Sequence, residues 1–396
     1  MNWKKVLLIA FALVLTLGLV ACNGDDGDDY DDYVAGGNDN GNDAAVTTDV
    51  GAALNIAIVT SPSGVDDGSF NQNNYEGVLA FIANNPDSNV TAVREPDMDN
   101  AISAVEQIVA DFDVFVLPGF QNAGITPVAE ANPDTKFILV DTFPVDEDGD
   151  AVELPNVYAM RFAEQESGFL AGIAAAMETE TGNVAFVGGG AIPPVVNYHF
   201  GFIGGVTYAN ANLGTDATIV DLSAFAGDSA VPTYIGTDIG GNYIGVFNDP
   251  DIGKQVGDAL VDAGVDIMFV AAGGSGMGAF AAAAEAEGVM VIGCDVDQFD
   301  LGGDPNVVLT SVLKVMDLNV TAQLEAIANG TFAGGNNTIF AGSPTPGTGV
   351  VLTEGRQQLS ADTIAALEAA LTALKDGSVE PAGNFSQFAP TEFPGL

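Results

Sequence analysis

From residue 54 onward, short and continuous apolar runs alternate with stretches of helical periodicity, and this alternation limits the possible folds more than any other feature. Residues 54–60, 90–93, 114–117 and 137–140 read as strands, with apolar residues at helical spacing over 70–83 and 101–109. After Val157–Phe162 the pattern starts again. Strands are predicted at 184–187, 218–222, Ile267–Ala271 and 290–292, with helices around 164–177, 253–263 and 279–287. Strands that are apolar throughout, rather than at every second residue, belong to a sheet covered on both faces. A parallel α/β architecture is therefore expected. Two such blocks, each of ordinary domain size, predict two lobes.

Open parallel sheets bind ligands beyond the carboxyl ends of their strands, where loops lead into helices. Those loops carry a consistent chemistry here. The first runs from Ser61 through Asp67 and Ser69 to Phe70 and Asn71; the third holds Gly119 and Phe120; the fourth opens on Asp141. In the second block they hold Gly188 to Gly190, the F-N-D-P run beginning at Phe247, Gly273 and Gly274, and Asp295. Lys314 follows the apolar run 307–313. Rings for stacking, carboxylates for hydroxyls and bare backbone for close approach suit a flat, uncharged, polyhydroxylated ligand.

Several ordered motifs carry a family resemblance. They are G-S-F-N-Q at 68–72 with Tyr75, Glu76 and Gly77, P-D-T-K-F-I-L-V-D at 133–141, and E-Q-E-S-G-F-L-A-G at 164–172. F-N-D-P at 247–250, A-A-G-G-S-G-M-G at 271–278, V-I-G-C-D-V-D-Q at 291–298 and T-S-V-L-K at 310–314 complete the set. Together they resemble the basic membrane protein family, the purine-nucleoside-receptor type of ABC-transporter substrate-binding lipoprotein. That resemblance implies a type I periplasmic-binding fold: two Rossmann-like lobes with parallel sheets, joined by a hinge and closing on a nucleoside for delivery to a permease. It also implies segment swapping. The N-terminal lobe would span 54–162 and be completed by about 296–330, the C-terminal lobe would span 163–295, and 331–396 would pack back on both.

Carried over residue by residue, the resemblance has Phe70 and Phe247 sandwich the base, with Asn71 beside the first ring. Gly119, Phe120 and Asp141 would line the first lobe's side, Gly274 would offer backbone, and Asp295 with Lys314 would hold the ribose hydroxyls. In that scheme Lys314 neutralises Asp295 in the closed cleft. Tyr198 stands where the family often has Phe and is a candidate third aromatic. Ser61 replaces the family's usual Asp, and residues 223–240 look like extra sequence. His199 is expected to be structural or exposed, and Cys294 a buried small hydrophobe.

The 9 Lys and Arg against 54 Asp and Glu give a net charge of −45. A surface this acidic repels phosphate backbones, which argues against a nucleic-acid partner. With one His and two Cys, neither a His-rich zinc site nor a disulfide framework can be assembled, and no metal or cofactor is expected. Catalysis is not expected either: no G-x-S-x-G occurs, no G-x-G-x-x-G follows a strand, there is no His base, and no carboxylate cluster has clear metal-ligand spacing.

Residues 1–21 read as a signal peptide, with Lys4 and Lys5 before an apolar stretch. Leu19-Val20-Ala21-Cys22 resembles a lipobox, so lipid on Cys22 would hold a monomeric protein to a membrane face outside the cytoplasm. Residues 22–53, rich in Asp, Gly and Asn, would be a solvated tether. A pentose sugar or a signalling molecule remains the alternative ligand for the same fold.

Overall fold

In a computed structural model the chain is described over residues 51–225 and 240–383. The expected signal peptide, Cys22, nearly all of the acidic tether and most of the extra segment at 223–240 lie outside those residues. The strands of the first lobe are β1 (Asn55–Thr60), β2 (Asn89–Arg94), β3 (Val114–Pro118), β4 (Lys136–Val140) and β5 (Val157–Phe162). Between them run α1 (Phe70–Asn84), α2 (Ala101–Ile108) and α3 (Thr126–Ala131). All pairings in this sheet are parallel, with Ile56 opposite Val90 on one side of β1 and Val114 on the other. Alternate residues of one strand feed two cores. Ile56 and Ile58 pack with Val78 and Phe81 of α1, while Ala57 and Val59 pack with Val105 of α2. Burial on both faces is why the inner strands β1, β3 and β4 have no polar alternation, whereas β2, at the sheet edge, is largely exposed.

The second lobe begins with α4 (Glu164–Glu178), followed by β6 (Asn183–Gly188), α5 (Pro193–Asn212), β7 (Thr218–Ile219) and β8 (Asn242–Tyr243). It continues through α6 (Pro250–Asp262), β9 (Ile267–Ala271), α7 (Gly273–Glu285), β10 (Met290–Gly293) and β11 (Val308–Lys314). The chain then forms α8 (Met316–Ala328), β12 (Gly335–Ile339), β13 (Thr348–Val350) and α9 (Ala361–Lys375). Strand order is β12-β5-β4-β3-β1-β2 in one sheet and β13-β11-β10-β9-β6-β7 in the other, with β8 beside β6. Among the described strands, only β13 runs antiparallel to its neighbour.

The expected boundary at 296 is corrected by this topology. Val308–Lys314 pairs in parallel with β10 and belongs to the second sheet. The segment that returns to the first lobe is α8, whose Met316, Val320 and Leu324 join the core of α1. The chain therefore crosses between lobes near 163, near 315 and between 339 and 348. Residues 335–339 and 348–350 are edge strands, one for each sheet, so the C-terminal stretch is woven into both lobes. The strand expected at 218–222 is reduced to Thr218–Ile219.

Helix α5 has no clear apolar stripe because most of it is buried, on more than one face, which hides it from periodicity. It lies backbone to backbone on α4. A Cβ at Gly168 would sit 2.2 Å from the Tyr198 carbonyl oxygen, and one at Gly201 would sit 2.1 Å from that of Gln165. The G-F-L-A-G portion of the 164–172 motif thus serves helix packing.

His199 is fully buried on α5, stacked on Phe186 at 4.7 Å, with Nδ1 3.2 Å from the Tyr243 hydroxyl. Of the two expectations for it, exposure is excluded. Burial holds its pKa down at about 3. A depressed base contributes stability that is complete above the unfolded value of 6.5 and is lost as pH falls toward 3. At pH 4.5 the loss amounts to about 3 kcal/mol. His199→Phe should therefore gain that much relative to wild type between pH 7.5 and 4.5, read from denaturation at both values; a pH-independent difference would disprove it.

Candidate functional site

A cavity of about 480 Å³ opens where the strand ends of the two lobes face each other, within the usual size range of small-molecule sites. In the first lobe, the loop after β1 is organised by Asp67. Its carboxylate accepts the backbone N–H groups of Ser69, Asn71 and Gln72 at 3.0–3.1 Å, and the Asn71 amide at 2.7 Å. It caps the start of α1, where negative charge is favoured. Burial nonetheless pushes its pKa up, against the pull of those N–H groups. The cap sets Phe70 and Asn71 on the first turn, both lining the cavity. Asn71 Nδ2 also donates to Ser61 Oγ at 3.1 Å, while its Oδ1 is buried without a partner.

Asp141 and Asp295 occupy corresponding places, just beyond β4 and β10, each the third strand in its sheet's order. Both have φ of 69°, a left-handed conformation uncommon outside glycine but tolerated by Asp. Each lines the cavity. Asp141 accepts from Lys314 Nζ through Oδ2, and its Oδ1 is buried and unpartnered. Asp295 accepts from the Tyr198 hydroxyl and from Ser69 Oγ, both at 2.9 Å.

Lys314 is 2 % exposed at the end of β11, and its ammonium pairs with Asp141 and, at 3.0 Å, with Glu164 Oε1. The expected pairing with Asp295 is not made, because β11 ends facing the first lobe's Asp141 and the start of α4. Burial opposes the charge on Lys314, but Asp141, Glu164 and Asp295 together hold its pKa above the usual lysine range. For Asp141, burial pushes the pKa up to about 7, with Lys314 pulling down and Glu164 and Asp295 adding to the rise. The ammonium also lies 5.1 Å from the Phe70 ring centroid and 5.5 Å from that of Phe162.

Among the other expected residues, Gly119, Phe120, Tyr198 and Phe247 line the cavity. A Cβ at Gly189 would lie 2.3 Å from Phe247 Cε1, so the ring depends on bare backbone beneath it. Gly274 does not line the cavity. Gly273 does, since the helix starts there and turns Gly274 toward the Phe247 carbonyl. Sequence reasoning missed Glu164, whose other oxygen accepts from Asn197 at 2.9 Å. Its place at a helix start reads as an ordinary dipole contact. Cys294 was read as core; it is 3 % exposed yet also borders the cavity.

The family model for PnrA-like ABC transporter substrate-binding proteins (Bmp) matches residues 54–222 and 237–366. Its break falls within the stretch read as extra sequence. The chain is similar to a CD4+ T-cell-stimulating antigen of Listeria innocua, with 27 % identity over 95 % of this chain and 98 % of the relative. It is also similar to the ABC transporter nucleoside-binding protein BmpA of Lactococcus lactis, with 29 % identity over 84 % and 87 %. Among solved structures, a solute-binding protein of an ABC transporter system from Aeropyrum pernix K1 superposes with a TM-score of 0.69. It covers 84 % of this chain and 94 % of its own at 23 % identity, a likeness of fold.

Proposed function

The chain belongs to the PnrA-like family of ABC transporter substrate-binding proteins, and we propose that the solute its cleft receives is a nucleoside, with purines bound most tightly. The family consists of binding proteins rather than enzymes, and its role calls for a permease partner. Among the described residues no helix is long and apolar enough to cross a membrane. We further propose that lipid on Cys22, at the end of the lipobox-like Leu19–Cys22 run, holds the protein outside the cytoplasm.

The observation that carries the nucleoside reading is the pairing of aromatic walls with buried acceptors that have no partner. Phe70, Phe120 and Phe247 line the cavity together with Asn71 and Asp141, whose Oδ1 atoms are buried and have no hydrogen-bond partner among the described residues. A nucleoside supplies both, a π-face and N–H and O–H groups. A two-ring base covers more aromatic area than a one-ring base. Charge supports a nucleoside over a nucleotide: three carboxylates, Asp141, Glu164 and Asp295, surround one ammonium. A phosphate brought into that cleft would meet net repulsion. The name of the Lactococcus lactis relative points the same way.

Calorimetric titration tests this reading with inosine, guanosine, adenosine, uridine, ribose and inosine 5′-monophosphate. The nucleosides should bind, with ribose and the monophosphate silent. Phe70→Ala should weaken nucleoside binding by about 1–3 kcal/mol, the loss of one base–aromatic stack. Equal affinity for ribose and inosine, or no effect of Phe70→Ala, would overturn it.

A further inference from the structure

Ser69 stands at the N-cap of α1, where a serine side chain ordinarily accepts a backbone N–H of the first turn. It makes no such bond. Asp67 has taken over the cap, so the Ser69 hydroxyl is free to donate across the cleft to Asp295 Oδ2 of the second lobe at 2.9 Å. The neighbouring Gly68 carbonyl accepts a second bond from the other lobe, from Gln298 Nε2 at 3.0 Å.

Both second-lobe groups are braced. The Tyr198 hydroxyl holds the other oxygen of Asp295 at 2.9 Å. Gln298 Oε1 accepts the Cys294 N–H at 2.9 Å, and its backbone N–H donates to Ser311 Oγ at 3.0 Å. Arg356 ties down the same loop through Asp297 at 2.7 Å and Asp300 at 2.8 Å. Neither Ser69 nor Gln298 lines the cavity, although both are buried.

We propose that Ser69 and Gln298 are positioning residues that latch the lobes together over the cavity: the G-S of the 68–72 motif and the Q that ends the 291–298 motif form the two halves of one fastening. Their bonds run between lobes whose sheets are separate, so they exist only when the lobes are together. They act on affinity through the population of the closed form, whatever solute the cleft receives. Because Asp295 belongs to both the cavity wall and the latch, a ligand donating to its carboxylate would steady the group that Ser69 grips.

The test uses the full-length protein carrying Cys22→Ser, so that no thiol there takes a label, with spin labels on Glu106→Cys in the first lobe and Asp262→Cys in the second, both exposed positions. Cys294 is buried, with burial first among the causes that raise its thiol pKa well above the usual range, so it stays unlabelled. Ser69→Ala and Gln298→Glu should each lengthen the interlobe distances without ligand and with saturating inosine. Gln298→Glu retains the acceptor for Cys294 and removes the donor to Gly68. Inosine should dissociate at least about tenfold faster, the scale of one hydrogen bond to a charged group, with the order of nucleoside preference unchanged. Ser69→Thr, which retains the hydroxyl, should restore the wild-type distances. Wild-type distances in both variants would overturn the latch. If no nucleoside binds the wild type, the nucleoside reading fails, and the ligand-free distances alone decide for or against the latch.

Discussion

Lys314→Met should destabilise the protein by about 3–5 kcal/mol, the usual cost of removing one partner from a buried ion pair, and should abolish solute binding. Methionine fills the space of the lysine stem, so the loss isolates the charge. Without the ammonium, Asp141 and Glu164 face each other with no cation between them. Asp141→Asn should cost less, because Lys314 retains Glu164 at 3.0 Å. The loss should also depend on pH. Asp141 already has its pKa raised to about 7 by burial, and loss of Lys314 removes the group that pulls it down. A raised carboxyl favours the protonated form, so stability is retained at low pH and falls as pH rises through the folded value. Lys314→Met should therefore be penalised more at pH 8 than at pH 5.5. Urea denaturation at the two values, with inosine titrations alongside, measures both effects. A destabilisation below about 1 kcal/mol at pH 8 would mean that the ion pair is solvated rather than buried.

Gly168→Val should cost about 4 kcal/mol, a value reached only when packing cannot give way. The added Cβ would lie 2.2 Å from the Tyr198 carbonyl oxygen and 3.0 Å from the Phe202 nitrogen, both backbone atoms of α5. No rotamer relieves a clash made by Cβ itself. The helices would have to separate, and α5 carries Tyr198, which fixes Asp295 at the cavity. A fall in melting temperature of roughly 10 °C is expected, together with weakened binding in the protein that still folds. Gly168→Ala should show a smaller effect of the same kind. Retention of wild-type stability by Gly168→Val would show that α4 and α5 can move apart freely, against the geometry of this contact.

What was legible in the chain was what depends on local order. Continuous apolar runs identified most of the strands of both sheets, because burial on two faces removes polar residues at every position of a strand. Strand ends then identified candidate residues, because a parallel sheet aligns them on one rim; Phe70, Asp141, Phe247, Asp295 and Lys314 all border one cavity. Less was legible where burial or exposure erased the pattern. Helix α5 has apolar and small residues all round, and the edge strand β12 reads G-N-N-T-I, with little to mark it as a strand.

Which groups meet could not be read from order along the chain. Lys314 lies 173 residues from Asp141 in sequence but in direct contact with it in space, while the nearer Asp295 is gripped by Ser69 and Tyr198 instead. The membership of β11 in the second sheet, rather than the first, sets that pairing. Periodicity records the burial that each residue experiences within its own element. An ion pair or a hydrogen bond depends on the distance between elements, and that distance exists only once both lobes have folded and the chain has crossed between them.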